Sequence, residues 1–183
     1  MAKVIAVCNQ KGGVGKTTTS INLAACLSAA ERKTLLVDMD PQSNATTGLG
    51  LDKNEIERSI YDVITGNIDG SEDISLESIV VDCEPIQYLD LAPSTPDLAG
   101  AEIELVNTIA REKRLDSAIS TVRDKYDYII IDSPPSLGLL TVNVLTAADS
   151  VLIPIQCEYY ALEGLAELLN TIRLVQKSLN SKL

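Results

Sequence analysis

The sequence contains no phenylalanine, no tryptophan and no histidine. Without Phe or Trp, a core must be assembled from Leu, Ile, Val and Ala. The four cysteines, at 8, 26, 83 and 157, include no Cys-x-x-Cys pair. With histidine absent as well, neither a zinc site nor a cysteine-held cluster is expected. Cys8 and Cys26 fall inside apolar patterns, where a thiol acts as a small hydrophobe. No apolar run approaches the roughly 18 residues that a membrane span needs. The chain enters an apolar stretch at once, with no basic leader and no cleavage site, so a cytoplasmic location is expected. Bases are scarce too, and the formal net charge is −11. That charge argues against a broad nucleic-acid surface within these residues. The densest basic cluster is Arg111, Lys113 and Arg114. It is interleaved with Glu112 and Asp116 and reads as a solvated helix face.

What is present points to an α/β protein. The chain has 183 residues, 45% of them hydrophobic, enough for one domain with a full core. Short apolar runs predict strands at Lys3–Cys8, Thr34–Val37, Gln87–Leu91, Asp127–Asp132 and Ser150–Pro154. Helical spacing predicts helices at Thr17–Ala30, Ser59–Thr65, Asp97–Asn107, Arg111–Arg123, Leu139–Ala147 and Ala161–Leu179. Ile129, Ile130 and Ile131 are consecutive, as in a central parallel strand covered on both faces. The alternation predicts a doubly wound, mostly parallel sheet with ligands at the C-terminal strand edge. The acidic region from Leu49 to Glu84, broken by Gly66 and Gly70, is expected to hold short helices and loops.

Residues 8–18 read Cys-Asn-Gln-Lys-Gly-Gly-Val-Gly-Lys-Thr-Thr, between a predicted strand and a predicted helix. Such a loop wraps backbone N–H groups around a polyphosphate and aims a helix N-terminus at it. Glycines at 12, 13 and 15 permit close approach and positive φ. Lys16 is placed for the β- and γ-phosphates, and the Thr17 hydroxyl for Mg²⁺. The expected nucleotide contacts of this loop are Gly12, Gly13, Val14, Gly15, Lys16, Thr17 and Thr18.

Two carboxylate motifs follow. Val37-Asp38-Met39-Asp40-Pro41-Gln42 sets two acids at a strand end, and Pro41 keeps Asp40 out of a helix. Tyr128–Ser136 reads YIIIDSPPS: a buried strand presents Asp132 rigidly to a metal, often through a bound water. Pro134-Pro135 then forces a loop of the kind that senses a γ-phosphate.

The string KGGVGKTT resembles the deviant Walker A loop of the ParA/MinD superfamily of P-loop ATPases. VDMDPQSNAT and IIIDSPPS resemble the two switch regions of its ParA branch, nearest the Soj type. That resemblance implies ATP and Mg²⁺ as cofactors and a homodimer formed on ATP binding, with Lys11 reaching the partner's nucleotide. It implies that Asp40 positions the attacking water and that Asp38 supports the metal shell beside Thr17 and Asp132. Lys11, Lys16 and Asp40 would be the catalytic set. Pro154 and Glu158, in IPIQCEYYALEGL, would lie near the dimer face. It also implies a ParB-type stimulating partner and non-specific DNA binding, with nucleoid association, in a full-length form. ParA proteins run on past the helix ending near Leu179, so the chain is expected to be C-terminally truncated. The missing part would hold the adenine-contacting residues and the DNA-contacting arginines, leaving DNA binding here weak or absent. Two other readings stay open: a non-hydrolysing nucleotide-dependent interaction module, and a P-loop small-molecule synthetase. A Min-type membrane-site ATPase is disfavoured by the lack of an amphipathic C-terminal helix, and an iron protein by the cysteine spacing.

Overall fold

A computed structural model describes residues 1–66, 74–157 and 161–183. Glu158 and Gly70 lie outside the described residues. The strands are β1 (Lys3–Val7), β2 (Thr34–Asp38), β3 (Val81–Asp82), β4 (Leu89–Ala92), β5 (Tyr128–Asp132) and β6 (Ser150–Leu152). They form one sheet in the order β3-β4-β2-β5-β1-β6. All neighbours are parallel except β3 and β4, which run antiparallel. The helices are α1 (Lys16–Ala29), α2 (Asn44–Gly48), α3 (Ile60–Thr65), α4 (Leu76–Ile79), α5 (Leu98–Glu104), α6 (Arg114–Ser120), α7 (Leu139–Ala147) and α8 (Ala161–Ser178).

Alternation along each strand divides the core into two layers. Val4, Ala6, Leu35, Val37, Ile129 and Ile131 face one side, with α3, α5, α6, α7 and α8 packed over them. Val7, Leu36, Leu91 and Ile130 face the other, under Ala24, Ile21 and Leu27 of α1. All three isoleucines of β5 are fully buried, as the unbroken apolar run predicts for a strand covered on both faces. Aliphatic residues fill both layers without Phe or Trp.

The acidic region holds α3, α4 and the short antiparallel edge strand β3. Two residues, Val81 and Asp82, pair with Leu91 and Asp90, too few to leave a sequence pattern. The predicted helix Arg111–Arg123 begins as a 3₁₀ turn, Arg111–Lys113, and becomes α-helical only from Arg114.

The basic cluster corrects one expectation. Arg111 pairs with Glu112 at 3.1 Å and Lys113 is exposed. Arg114, however, turns inward. Its Nε donates to the Ile64 carbonyl at 2.8 Å, and a second guanidinium nitrogen donates to the Gly66 carbonyl. These carbonyls end α3, so Arg114 satisfies a helix C-terminus and ties α6 to α3. No helix among the described residues is long and apolar enough to cross a membrane.

Candidate nucleotide-binding site

Register creates the site. Val7 of β1 and Asp38 of β2 both pair with Asp132 of β5. The C-terminal ends of the three central strands therefore lie level, and their loops leave the sheet side by side. This is the edge where ligands bind in open α/β sheets.

The loop after β1 enters α1 through Gly15, at φ 88°, with Gly13 at φ 74°. Side chains would strain the backbone at both positions. A Cβ built on Gly12, Gly13 or Gly15 would meet nothing within 4 Å. The backbone here thus borders open space, a cradle with room for a group as large as a polyphosphate. Val14 turns away and is buried. Two contacts from the chain after β6 brace the loop. Asn9 donates its side-chain amide to the Pro154 carbonyl at 2.7 Å and accepts the Lys11 N–H at 3.0 Å. Gln156 donates to the Gly13 carbonyl at 3.0 Å. Pro154, which the resemblance puts near a dimer face, thus also steadies the loop of its own chain.

Lys16 opens α1 with 7% of its surface exposed. Its Nζ donates to the Lys11 carbonyl at 3.3 Å, near the long end for such a bond. Burial lowers its pKa, while the carboxylates of Asp132 and Asp40 pull it back up. A buried ammonium whose hydrogen bond to the Lys11 carbonyl is this long, bordering an open cradle, has donor capacity to offer an anion.

Asp132 is fully buried. One oxygen accepts from the Thr17 hydroxyl at 2.7 Å, and Ser20 Oγ stands 2.8 Å from the other. Burial pushes its carboxyl up to about 6, against the pull of those two hydroxyls. The expected metal pair, Thr17 and Asp132, is therefore brought into direct contact. Ser20 joins it one helical turn on, because residues i and i+3 share a helix face.

Asp38 is differently placed. Its Oδ2 accepts from the Thr46 N–H at 2.9 Å and the Thr46 hydroxyl at 2.7 Å, while Oδ1 accepts the Asp40 N–H at 3.1 Å. Burial pushes its carboxyl up to about 7. Both oxygens are committed to shaping the following loop. Asp40 is 6% exposed, and its Oδ1 accepts the Gln42 N–H at 2.9 Å.

A cavity of about 310 Å³ opens between these parts, lined by Gly12, Gly13, Gly15, Lys16, Thr17, Thr18, Asp40, Gln42, Asn44 and Pro135. The glycine loop, the helix N-terminus, the Asp40 loop and the double-proline loop thus converge on one volume. Asp38 and Asp132 stand behind the lining. Sequence reasoning missed Asn9, Ser20, Gln42, Asn44, Thr46 and Ser94. Asn9 lies within the quoted loop and Gln42, Asn44 and Thr46 within VDMDPQSNAT, Ser20 is marked by its spacing from Thr17, and Ser94 left no signal. A second cleft of about the same size, between α3, α4 and α6, is lined by Val63, Leu76, Ala118 and the already bonded Arg114. Among the described residues its lining includes no carboxylate.

A glycine cradle on a helix N-terminus, a buried lysine and a strand-end aspartate held by the following threonine define a P-loop nucleotide-binding domain. The chain matches an AAA domain family model over residues 2–183. It is 58% identical over 183 residues to the sporulation initiation inhibitor protein Soj of Bacillus subtilis, covering 100% of this chain and 70% of Soj. It is 56% identical over 183 residues to the chromosome partitioning protein ParA of Myxococcus xanthus, covering 100% of this chain and 62% of that protein. Among solved structures, cobyrinic acid a,c-diamide synthase from Mycobacterium smegmatis with bound ADP and magnesium superimposes with a TM-score of 0.93. It is 42% identical, with 100% of this chain and 71% of that one covered. The chain belongs to the ParA/Soj family of chromosome-partitioning P-loop ATPases.

Proposed function

We propose that this chain is the Mg²⁺-dependent, ATP-hydrolysing core of a partitioning switch. The observation that carries this reading is the Thr17–Asp132 contact at 2.7 Å, set behind a cavity that Lys16 and Asp40 both line. Lys16 and the backbone of residues 12–18 would hold the phosphates. The Thr17 hydroxyl and Asp132 would hold the metal. The ion's charge, when bound, stabilises the negative charge of the transferring phosphoryl group. Asp40 orients a water and accepts its proton, an acid–base role that needs a carboxylate within hydrogen-bond reach. We assign Asp38 to holding the Asp40 loop rather than to the metal shell, because Thr46 and the Asp40 N–H already engage both its oxygens. Phosphate release from Mg²⁺-ATP by the purified chain tests this reading. Binding without any release would make the chain a non-hydrolysing interaction module.

A P-loop synthetase reading has one observation behind it, the name of the M. smegmatis structure. The higher identities, 58% and 56%, are to proteins named for sporulation control and chromosome partitioning. Hydrolysis of ATP with no organic co-substrate separates the two readings.

The partitioning reading brings a cytoplasmic, nucleoid-associated setting, a ParB-type stimulating partner and an ATP-dependent homodimer. Lys11 is the lysine that one phosphate site does not need. Lys11→Ala is expected to bind ATP as a monomer and to lose dimerisation. Light scattering with a slowly hydrolysed ATP analogue checks this once the unmutated chain dimerises. A Lys11→Ala dimer would end the cross-subunit role.

DNA binding by residues 1–183 is expected to be weak or absent even with ATP. Non-specific affinity comes from phosphate neutralisation by Lys and Arg. Here the net charge is −11, and Arg114 is spent on α3. Fluorescence anisotropy with unrelated duplexes near physiological salt is the check. Salt-dependent, sequence-independent binding would contradict the expectation and make Arg111 and Lys113 the first side chains to replace.

A further inference from the structure

The loop after β4 carries Ser94, which the chemistry above does not use. Ser94 is fully buried, 54 residues from Asp40 in sequence, yet its hydroxyl donates to the Asp40 carbonyl at 2.9 Å. The Thr95 carbonyl, at 3.5 Å, is the poorer of its two acceptors. The Ser94 N–H donates to Thr46 Oγ1 at 3.0 Å. The Thr46 hydroxyl donates to Asp38 Oδ2 at 2.7 Å, and Asp38 Oδ1 accepts the Asp40 N–H at 3.1 Å. The ring closes on itself: Ser94, Thr46, Asp38, Asp40, Ser94. Asp40 is gripped at both its N–H and its C=O, and every ring member is buried.

This arrangement exceeds what packing requires. A buried loop can be held by apolar contacts, whereas four buried polar residues are tolerable only when mutually satisfied. The ring fixes one backbone position, that of Asp40, and so sets how its carboxylate stands in the cavity. Catalytic groups lose rate steeply when displaced by as little as an ångström.

We infer that Ser94 is a positioning residue for hydrolysis, holding Asp40 through its carbonyl in a ring closed by Thr46 and Asp38. The inference rests on the assignment of Asp40 as the water-orienting group.

The test compares Ser94→Ala, Thr46→Val, Thr46→Ser and Asp40→Ala. Each is assayed for ATP affinity, single-turnover hydrolysis and amide hydrogen exchange without nucleotide. Ser94→Ala and Thr46→Val should hydrolyse at least about 10-fold more slowly, with ATP affinity within about twofold of the unmutated chain. Exchange at residues 40–47 should quicken in both, while β5 and α1 keep their protection. Thr46→Ser, which keeps the hydroxyl, should restore both rate and protection. The inference is overturned if Asp40→Ala is inactive while Ser94→Ala and Thr46→Val turn over normally with unchanged exchange. An active Asp40→Ala would instead remove the assigned role of Asp40 and the inference with it; unchanged exchange in Ser94→Ala would then show that the ring is not a grip either. Unfolding of both Ser94→Ala and Thr46→Val would overturn the inference too, since the ring would then be structural.

Discussion

Lys16→Ala will leave the protein folded and stripped of most of its ATP affinity. The ammonium is buried, and its hydrogen bond to the Lys11 carbonyl is long, at 3.3 Å. Little native structure depends on that bond, so melting should change little. A bound polyphosphate, by contrast, would lose the one lysine ammonium that lines the cavity. Removing one partner of a buried, hydrogen-bonded charge pair costs about 2–5 kcal/mol, or roughly 30- to several-thousandfold in affinity. Calorimetric titration with Mg²⁺-ATP measures this directly. Equal affinity in mutant and parent would remove residues 12–18 from the role of phosphate cradle.

Asp40→Ala should do the reverse, keeping ATP bound while turnover falls by about 100-fold or more. A group that orients water stabilises the transition state and contributes little to ground-state binding. Affinity should hold or rise slightly, because a carboxylate lining the cavity repels a polyphosphate. The loop itself should survive. Asp38 and Ser94 grip the backbone of residue 40, and the substitution leaves that N–H and C=O in place. The side chain gives up one bond, to the Gln42 N–H at 2.9 Å. Single-turnover hydrolysis beside equilibrium binding separates the two effects. Loss of binding would make Asp40 a metal-shell or structural residue, and unchanged hydrolysis would move the water-orienting role elsewhere.

The five longer strands and all the longer helices were legible because their causes are local. Ile129, Ile130 and Ile131 demand cover on both faces wherever they fall. Glycines at 13 and 15 announce positive φ because side chains there would be strained. Lys16 and Thr17 could be assigned because a strand, a glycine loop and a helix place them within a few residues of one another. What stayed hidden was short, antiparallel or distant. The two residues of β3 make no pattern. The inward turn of Arg114 depends on where α3 ends, at Ile64 and Gly66, far back in the chain.

The sequence by itself determined the fold class and the chemistry of the loop, since backbone preference and hydrophobic periodicity act over a few neighbouring residues. Only the tertiary structure decided which carboxylate lines the cavity and which is engaged behind it. Asp38 and Asp40 look equivalent in VDMDPQ, two residues apart at a strand end. Sheet register and the packing of α2 separate them: Asp38 meets Thr46 and turns inward, while Asp40 lines the cavity. Asp132 reaches Thr17 across 115 residues because β1 and β5 are neighbours in register. Ser94 reaches Asp40 because β4 lies beside β2. A hydrogen bond weakens beyond about 3.2 Å and away from the donor axis. Partners that far apart in the chain come to that distance only once the sheet order and register are set.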